Sequence, residues 1–324
     1  MLTIEFINVG YGDAVLIRET GCGNFSMLVD CGDVTVGEQY PGSQRVTAAE
    51  FLHKRNISHL DLLVLTHLHL DHSGGLTHLL PDVEITEFWT NYLPDLRFCG
   101  KRLKVPDGFS PGSKCLLKSM NIYLQAMKEL KKQGTKVHVV TESKLAVSIS
   151  DNFSIDVFVE DMSLFRRQNE IWRRQFTDRP NDSMLRELDG FINNTSIRMR
   201  LNYCGCAVEL PGDIYADCWE KHRITPCAIA KLPHHGHRDS FSKKLYDMLK
   251  MKYVVASVSN SRLDDFPSSE IIELVRQNSS TIFFTDAVRV PYERQQFQQA
   301  LQFVINEDGA LSANRVDRNE TIPI

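Results

Sequence analysis

The residues that could do chemistry are concentrated in one stretch, Thr66–Leu76, which reads THLHLDHSGGL. Four side chains that can bind a metal lie within six residues here, namely His67, His69, Asp71 and His72. Imidazole and carboxylate together suit zinc, manganese or iron, and the absence of sulfur argues against a structural zinc knot. Because burying so many titratable groups in a dry core would be prohibitive, the cluster predicts a metal or catalytic site.

The residues around this stretch predict how it is positioned. The apolar run Leu62–Leu65 leads directly into it and is long enough for a buried strand but too short for a helix. The four side chains should therefore lie at the C-terminal end of a strand. Gly74 and Gly75 then begin an apolar stretch, Leu76–Leu80, which predicts a helix entered tightly from the loop.

The rest of the chain predicts an α/β fold. Strands, loops and helices alternate before about residue 93 and again after about residue 191, with polar residues at strand ends. Two such halves packed face to face would form a four-layer αββα sandwich. The polar C-terminal ends of the strands of both halves, which form the mouth of the site, would then lie on one edge. Residues 1–324 are thus expected to be one domain, with an inserted basic region of helices and loops at about 95–190.

Within the insertion, helical spacing of apolar residues predicts an amphipathic helix over Cys115–Gln133. A second, mostly polar helix is expected over Ser163–Phe176, followed by a loop over Thr177–Asp189. Asp95–Lys114, rich in Gly, Pro and Lys, is expected to be a long loop.

Composition excludes several classes of protein. Hydrophobic residues make up 42% and charged residues 24%, which is ordinary for a globular protein. The net charge of −4 provides no global basic field for nucleic acid, although a local patch would suffice. No signal-peptide pattern and no apolar run of membrane length is present, so a cytoplasmic location is expected. The eight cysteines show no framework spacing and are expected to be free thiols.

The insertion is locally basic. From Lys101 to Lys136 there are nine Lys or Arg against two acidic residues. A second cluster consists of Arg166, Arg167, Arg173, Arg174 and Arg179. Two interpretations stay open: a solvated helix face, or a rim over 101–179 that holds the phosphates of nucleic acid beside the metal mouth.

These motifs resemble a known family. THLHLDH matches the HxHxDH signature of the metallo-β-lactamase fold, Asp213 resembles its metal-bridging aspartate, and His234-His235-Gly236 resembles its last metal-binding loop. Within that superfamily the chain most resembles the hydrolase domain of the competence protein ComEC. The matching segments, from residue 8 to about 286, are NVGYGDAVLI, LVDCG, INNTSIRMRL, ELPGDI, KLPHHG and FFTD.

The resemblance implies a centre of two divalent metal ions, zinc or manganese. His67 and His69, which alternate along extended backbone, would converge on the first ion, and Asp71 and His72 would hold the second. Asp213 would bridge the two ions with one oxygen on each. Two metals a few ångströms apart would activate a shared water for in-line attack on a phosphate or carbonyl.

Several further residues are assigned by their place in the family pattern. One of His234 and His235 would complete the second site, and His235 is favoured because it lies in a Pro-x-His-Gly frame. Asp30 would orient a metal-bound His or water. Lys231 is open between a phosphoryl oxyanion partner and a surface lysine, and Asp13 is expected to cap its turn.

The sequence also departs from the family pattern. Many relatives carry a third His for the first metal, and the candidates here, His78 and His138, lie in a predicted helix and a predicted strand. The first site would then be weaker, or completed by water or Asn. Asn193 and Asn194 match the family's Asn-x-x-Ser stretch and are open between lining the site and a plain turn.

Three functions follow. The leading hypothesis is a metal-dependent phosphodiesterase, a nuclease that acts in nucleic-acid turnover or in defence against foreign DNA. The second keeps the enzyme class but changes the substrate to a small phosphodiester or ester, of phosphocholine or cyclic-nucleotide type. The third is a non-catalytic, metal-stabilised protein that binds a protein partner.

Overall fold

The structure of the chain is a computed structural model. It describes residues 1–21, 23–38, 40–141, 144–177, 180–259, 266–286, 298–318 and 321–323. Arg179, named above in the second basic cluster, lies outside these ranges.

The described residues form strands and helices throughout. The strands are β1 (Leu2–Ile7), β2 (Val15–Glu19), β3 (Ser26–Val29), β4 (His59–Val64), β5 (Glu84–Thr90), β6 (Lys136–Val139), β7 (Lys144–Ser148), β8 (Phe153–Val159), β9 (Ile197–Tyr203), β10 (Cys206–Leu210), β11 (Ile229–Lys231), β12 (Tyr253–Ala256), β13 (Thr281–Phe284), β14 (Ala300–Ile305), β15 (Leu311–Val316) and β16 (Thr321–Pro323). The helices are α1 (Ala48–Lys54), α2 (Leu70–Ser73), α3 (Leu76–Leu79), α4 (Pro111–Gln133), α5 (Met162–Thr177), α6 (Asp182–Asp189), α7 (Ala216–Trp219), α8 (Lys243–Leu249) and α9 (Ser269–Gln277), with 3-10 turns at Ile192–Thr195 and Pro233–Gly236.

The strands form two mixed sheets. The first sheet has the order β16-β15-β14-β1-β2-β3-β4-β5-β6, and the second has the order β13-β12-β11-β10-β9-β8-β7. Strands β3 to β6 of the first sheet are parallel, as are β10 to β13 of the second. The C-terminal ends of β4 and β10 lead into the HxHxDH motif and Asp213, as the sequence predicts.

Three hydrophobic cores stack these elements into layers. One core contains residues of both sheets, such as Val64 of the first and Val208 of the second, so the sheets pack face to face. A second core joins the first sheet to helices, including Leu116 of α4. A third joins the second sheet to helices, including Leu245 of α8. This order of helices, sheet, sheet and helices confirms the predicted four-layer αββα sandwich.

The region expected to be an insertion, about 95–190, is built into both sheets. Strand β6 forms an edge of the first sheet, and β7 and β8 belong to the second. Besides its helices and loops, this region therefore carries the chain from one sheet to the other.

Two boundaries within this region were predicted wrongly. Helix α4 begins at Pro111 rather than Cys115, since the Ser110 side chain accepts a hydrogen bond from Ser113 N–H and caps an extra turn. The expected loop over 177–189 contains helix α6, whose N-cap, Asn181, accepts from Met184 N–H. Both caps are visible in the sequence as Ser-Pro and Asn-Asp-Ser.

The tail after Asp286 was left outside the resemblance, yet it completes the first sheet. Strand β14 pairs antiparallel with β1 along its whole length, from Leu2 opposite Ile305 to Ile7 opposite Ala300. A pairing between residues almost 300 positions apart leaves no local pattern in the sequence, which is why it was missed.

Helix α4 supports the HxHxDH motif directly. The hydroxyls of Ser119 on α4 and Ser73 on α2 lie 2.8 Å apart, and Ser119 donates to Leu68 O at 2.9 Å. On another side the motif packs against the loop after β3, where only a glycine fits at position 75, because a Cβ there would lie 2.0 Å from Cys31 O. The predicted tight entry into the helix after the motif is thus confirmed, although α3 is only one turn long.

Two expectations from composition can be compared with the structure. No helix within the described ranges is long and apolar enough to cross a membrane. The cysteines within those ranges are free thiols.

The tail strand should contribute strongly to stability. Phe303 of β14 is 1% exposed, and its ring packs against Phe6 at 5.9 Å and Phe283 at 5.8 Å between centroids. Phe303→Ala is expected to lower the free energy of unfolding by about 3–5 kcal/mol because it leaves a cavity between the sheets. Urea denaturation measures this change. Ser312→Ala, an exposed position on the adjacent strand β15, serves as the control and should stay within about 0.5 kcal/mol; equal effects of the two would contradict the packing.

Candidate metal centre

Loops from both sheets meet at one edge of the sandwich. The backbone N–H of Ile197, which begins β9 of the second sheet, donates to Thr66 O at the end of β4 of the first, at 2.9 Å. This bond fixes the HxHxDH loop against the loops that carry Asp213 and His235. Residues more than 140 positions apart in sequence are thereby brought together.

His67 and His69 point a nitrogen of each ring at the other. His67 Nε2 and His69 Nδ1 lie 3.1 Å apart. The far nitrogen of His67, Nδ1, lies 3.1 Å from Thr66 Oγ1 and 3.3 Å from Ser196 Oγ. The Thr66 hydroxyl donates to Asp30 and the Ser196 hydroxyl to Asn193 O, so both can only accept from His67. The hydrogen-bond network therefore assigns the proton to Nδ1 and leaves a lone pair on Nε2.

A second group lies beside this pair. One ligand atom from each of Asp71, His72, Asp213 and His235 lies within 4.8 Å of the other three. His72 Nε2 is 3.1 Å from Asp213 Oδ2, and His235 Nε2 is 3.2 Å from Asp71 Oδ2. All except Asp71, whose side chain is 15% exposed, are fully buried.

The far nitrogens of these two imidazoles are also held by acceptors. His72 Nδ1 lies 2.7 Å from Asp30 Oδ2, and His235 Nδ1 lies 2.9 Å from Ser257 O. Asp30 is itself fixed by the backbone N–H and hydroxyl of Thr66, both at 2.8 Å. Asp30 therefore contacts His72 in the way that the sequence suggested, and it holds Nε2 towards the cluster.

Asp213 is oriented by contacts that the sequence did not show. Its Oδ1 accepts from His234 N–H at 3.2 Å and faces Lys231 Nζ at 3.4 Å. Only Oδ2 faces the imidazoles, 3.1 Å from His72 and 3.4 Å from His235. The expected arrangement with one oxygen on each ion stays a prediction, in which Oδ1 would keep these protein contacts.

Lys231 is neither a surface lysine nor a free oxyanion partner. It is 2% exposed, and its ammonium contacts Gly212 O at 3.0 Å, Asp213 Oδ1 at 3.4 Å and an oxygen of Asp13. Three acceptors match its three N–H donors, which leaves none for a substrate. Lys231 instead fixes the two carboxylates on either side of it.

Asp13 was expected only to cap its turn, and its role is larger. It is 2% exposed, forms an ion pair with Lys231, and lies 3.8 Å from both His72 Nδ1 and His235 Nδ1. Asp13, Asp30 and His72 form a second acidic group behind the ligand cluster. The signal in the sequence was the segment Gly10-Tyr11-Gly12-Asp13, where a Cβ at Gly12 would lie 2.1 Å from Asp71 O.

His234 does not join the cluster. Its Nε2 lies 3.4 Å from Asn193 Nδ2, and its ring packs against Tyr215. Asn193 also donates to Tyr215 Oη at 3.1 Å, and Asn194 accepts from Tyr215 N–H. The structure thus has His235 in the candidate cluster, and it has His234 and the two asparagines one layer outward.

The carboxylates create a strongly negative field. Burial lowers the pKa of His72, but Asp213, Asp30 and Asp71 outweigh burial and raise that pKa well above its ordinary value. Burial also lowers the pKa of His235, but the nearby carboxylates, Asp213 above all, outweigh it and raise that pKa to about 9. A field that holds protons on buried imidazoles also attracts a divalent cation, which would displace those protons.

His67 and Asp213 differ in their protonation states. Burial, together with the neighbouring His72 and His69, holds the pKa of His67 well below its ordinary value, so this imidazole is neutral. Burial raises the pKa of Asp213, but His72 and His235 outweigh it and hold that carboxyl ionised. Neutral imidazole and ionised carboxylate are the forms that bind metal.

The residues therefore fit divalent metal ions. Among the described residues, imidazole nitrogens and carboxylate oxygens converge without any thiolate, a donor set suited to zinc or manganese. The candidates for a third His do not contribute: His78 is exposed and contacts Val34 O, and His138 packs against Trp89.

The cations of the two basic clusters differ in their partners. In the second cluster, Arg167 contacts Glu170 and Glu187, and Arg174 contacts Glu170, so carboxylates compensate these two charges. By contrast, neither Arg102 nor Lys118 has a carboxylate within 4.0 Å in the described ranges. Both line a cleft of about 440 Å³ beside the HxHxDH motif, together with Val34, Leu70, Thr77, Asn121, Ile122 and Gln125.

Comparison with known proteins matches part of the chain to one family. The family model of the metallo-beta-lactamase superfamily matches residues 7–89. No curated protein matches the chain. The metallo-beta-lactamase fold protein YhfI from Bacillus subtilis is 12% identical, with 88% of this chain and 96% of that chain covered and a TM-score of 0.49. Zn²⁺-bound PqqB from Methylobacterium extorquens is 10% identical, with 88% of this chain and 98% of that chain covered and a TM-score of 0.46. A diphosphatase from the PhnP family is 12% identical, with 100% of this chain and 99% of that chain covered and a TM-score of 0.41. All three TM-scores lie below 0.5, so these structural likenesses carry no argument.

The two histidines of the last loop can be distinguished by metal affinity. Both have positive φ, 45° at His234 and 55° at His235, so Asn is the matched substitution because it tolerates this backbone. His235→Asn should weaken zinc binding by more than the roughly 10- to 100-fold typical of supporting groups, and His234→Asn should not. Competition with a chromophoric chelator measures the affinities. Equal losses in the two variants would contradict the assignment.

Proposed function

We propose that this chain, which has the metallo-β-lactamase fold, is a metal-dependent phosphodiesterase that cleaves nucleic acid. The observation that carries the proposal is the convergence of imidazole nitrogens and carboxylate oxygens from both sheets at one mouth. Arg102 and Lys118, which have no carboxylate partner in the described ranges, line a cleft that includes Leu70 of the HxHxDH motif, and these cations favour an anionic substrate.

The proposed cofactors are two divalent ions, zinc or manganese. They would be held by His67 and His69 in one group and by Asp71, His72 and His235 in the other, with Asp213 between them. Ions bound there supply an activated water as nucleophile and withdraw charge from a phosphoryl oxygen.

The chain's own residues keep the ligands in place. Asp30 holds the proton on His72 Nδ1, and Ser257 O holds the proton on His235 Nδ1, so both Nε2 atoms stay directed at the mouth. Lys231 and His234 N–H restrain Asp213 Oδ1 and leave Oδ2 facing inward. Ligands fixed in this way need little reorganisation as the reaction proceeds.

Arg102 and Lys118 are the proposed contacts for the substrate's flanking phosphates. They belong to the loop before α4 and to α4 itself, and the cleft between them is floored by Leu70 of the HxHxDH motif. A phosphodiester chain entering the mouth would pass these two cations. The ComEC-like segments of the sequence support the same substrate class, and an action in nucleic-acid turnover or defence belongs to this proposal.

A small phosphodiester is the second candidate substrate. The cleft's volume of about 440 Å³ lies within the range typical of small-molecule sites. Its lining also contains apolar side chains such as Ile122 and Leu70, which suit one organic group better than a polymer.

The first test is a cleavage screen. Purified protein with Mn²⁺ or Zn²⁺ is incubated with single- and double-stranded DNA, with RNA and with bis(p-nitrophenyl) phosphate. We expect cleavage, and we expect the Asp71→Ala, His72→Ala double variant to lose several kcal/mol of transition-state stabilisation, roughly 10³-fold or more in rate.

A matched control lies on the same strand. His59 begins β4, at the end opposite the motif, and its ring Nε2 hydrogen-bonds with Thr86 Oγ1. His59→Ala should keep the wild-type rate. If no metal supports cleavage of any substrate, or if the double variant cleaves as fast as the wild type, the proposal fails and a non-catalytic metal-stabilised protein becomes the better hypothesis.

The second test separates nucleic acid from a small substrate. Replacing both Arg102 and Lys118 by Ala should reduce the salt dependence of nucleic-acid binding, by about 0.7–0.9 in the log–log slope for each lost phosphate contact. Turnover of bis(p-nitrophenyl) phosphate should hardly change.

The control for this test uses cations of the same helix. Lys131 and Lys132 lie at the end of α4, about 20 Å along the helix axis from Lys118. Replacing these two by Ala should leave the salt slope unchanged. Equal slopes for both double variants would indicate that Arg102 and Lys118 do not contact phosphates and would favour the small substrate.

A further inference from the structure

We infer that Asp189, which lies in the region of about 95–190, is a positioning residue that fixes the tautomer and orientation of His69. This inference rests on the proposed metal centre and adds a residue to it. Nothing in the HxHxDH motif indicates such a partner, and the sequence predicted a loop where Asp189 ends helix α6.

The two nitrogens of His69 face different groups. Nδ1 lies 3.1 Å from His67 Nε2, on the side of the ligand cluster, and Nε2 lies 3.9 Å from Asp189 Oδ1. The latter separation exceeds a direct hydrogen bond, and a small rotation of the Asp189 side chain, which is 43% exposed, would close it. A carboxylate on that side favours the proton on Nε2 and leaves the Nδ1 lone pair for a metal.

The other three imidazoles follow the same rule. His67 gives its far proton to the Thr66 and Ser196 hydroxyls, His72 to Asp30, and His235 to Ser257 O. Every imidazole directed into the cluster thus has an acceptor behind it, and Asp189 is that acceptor for His69. Since His69 is the most exposed of the four, with 21% of its side chain accessible, its orientation depends most on such a contact.

Helix packing holds Asp189 in place. A Cβ at Gly112, in the first turn of α4, would lie 2.0 Å from Asp189 Oδ2, so the carboxylate occupies the space that the glycine leaves. The N-terminal end of this long helix favours negative charge. Ser110 N–H donates to Asp182 Oδ1 at 2.9 Å and ties the start of α6 to the start of α4. In the described ranges, Asp189 has no Lys or Arg within 4.0 Å that would explain its charge otherwise.

Metal binding without substrate tests the inference. Wild type, Asp189→Ala and Asp189→Asn are titrated with Co²⁺, and visible absorption follows the sites as they fill. In Asp189→Ala, affinity at one of the two sites should fall by about 10- to 100-fold, with an altered spectrum for that site. Asp189→Asn should recover part of the loss, because its amide oxygen can still accept from Nε2. The apo protein's Tm should not change.

Two further variants sharpen the result. Glu187→Gln removes a charge from the same helix at a similarly exposed position, where Glu187 contacts Arg167, and should bind Co²⁺ like the wild type. Gly112→Ala keeps every charge but displaces the Asp189 carboxylate, and should reproduce the effect of Asp189→Ala.

The outcomes separate this inference from the proposed function. Wild-type Co²⁺ binding in Asp189→Ala, or equal loss at both sites together with a lower apo Tm, would overturn the positioning role. Selective loss at one site in a protein that cleaves no phosphodiester would support Asp189 and refute the substrate. A wild-type chain that binds no metal would overturn both.

Discussion

The structure depends on an excess of buried negative charge at the mouth between the sheets. Asp13, Asp30, Asp71 and Asp213 converge there, and Lys231 is the one lysine or arginine placed among them in the described part of the chain. Ionised carboxylates removed from water are very unfavourable unless cations or hydrogen-bond donors compensate them. The imidazoles supply part of the compensation as protons, and divalent metal ions would supply it more completely.

This constraint explains why the surrounding contacts are so complete. Three imidazoles that face the cluster, those of His67, His72 and His235, have the far nitrogen held by hydroxyls, by a carboxylate or by a carbonyl, so the near nitrogen has one direction. Both sheets take part, since Asp30 follows β3 of the first and Ser257 follows β12 of the second. The affinity of the cluster for a metal should therefore depend on how the two sheets pack against each other, because each sheet supplies groups that orient the imidazoles.

The region of about 95–190 connects this centre to the proposed substrate. It is an integral part of the fold, because its strands belong to both sheets and α4 packs on the HxHxDH motif through Ser119. The same helix carries Lys118 at the cleft and Gly112 beside Asp189. One element thus supports the motif, carries a cation at the cleft, and packs closely against the Asp189 carboxylate.

The sequence by itself determined what depends on neighbouring residues. The HxHxDH spacing, the strand that precedes it and the alternation of elements were enough for the ligand-bearing loop and the four-layer fold. The local Pro-x-His-Gly frame already favoured His235 over His234, and the structure has His235 in the cluster. Only the tertiary structure buried Lys231 between Asp13 and Asp213 and brought β14 beside β1. Both outcomes depend on pairings between distant segments, about which local pattern carries no information.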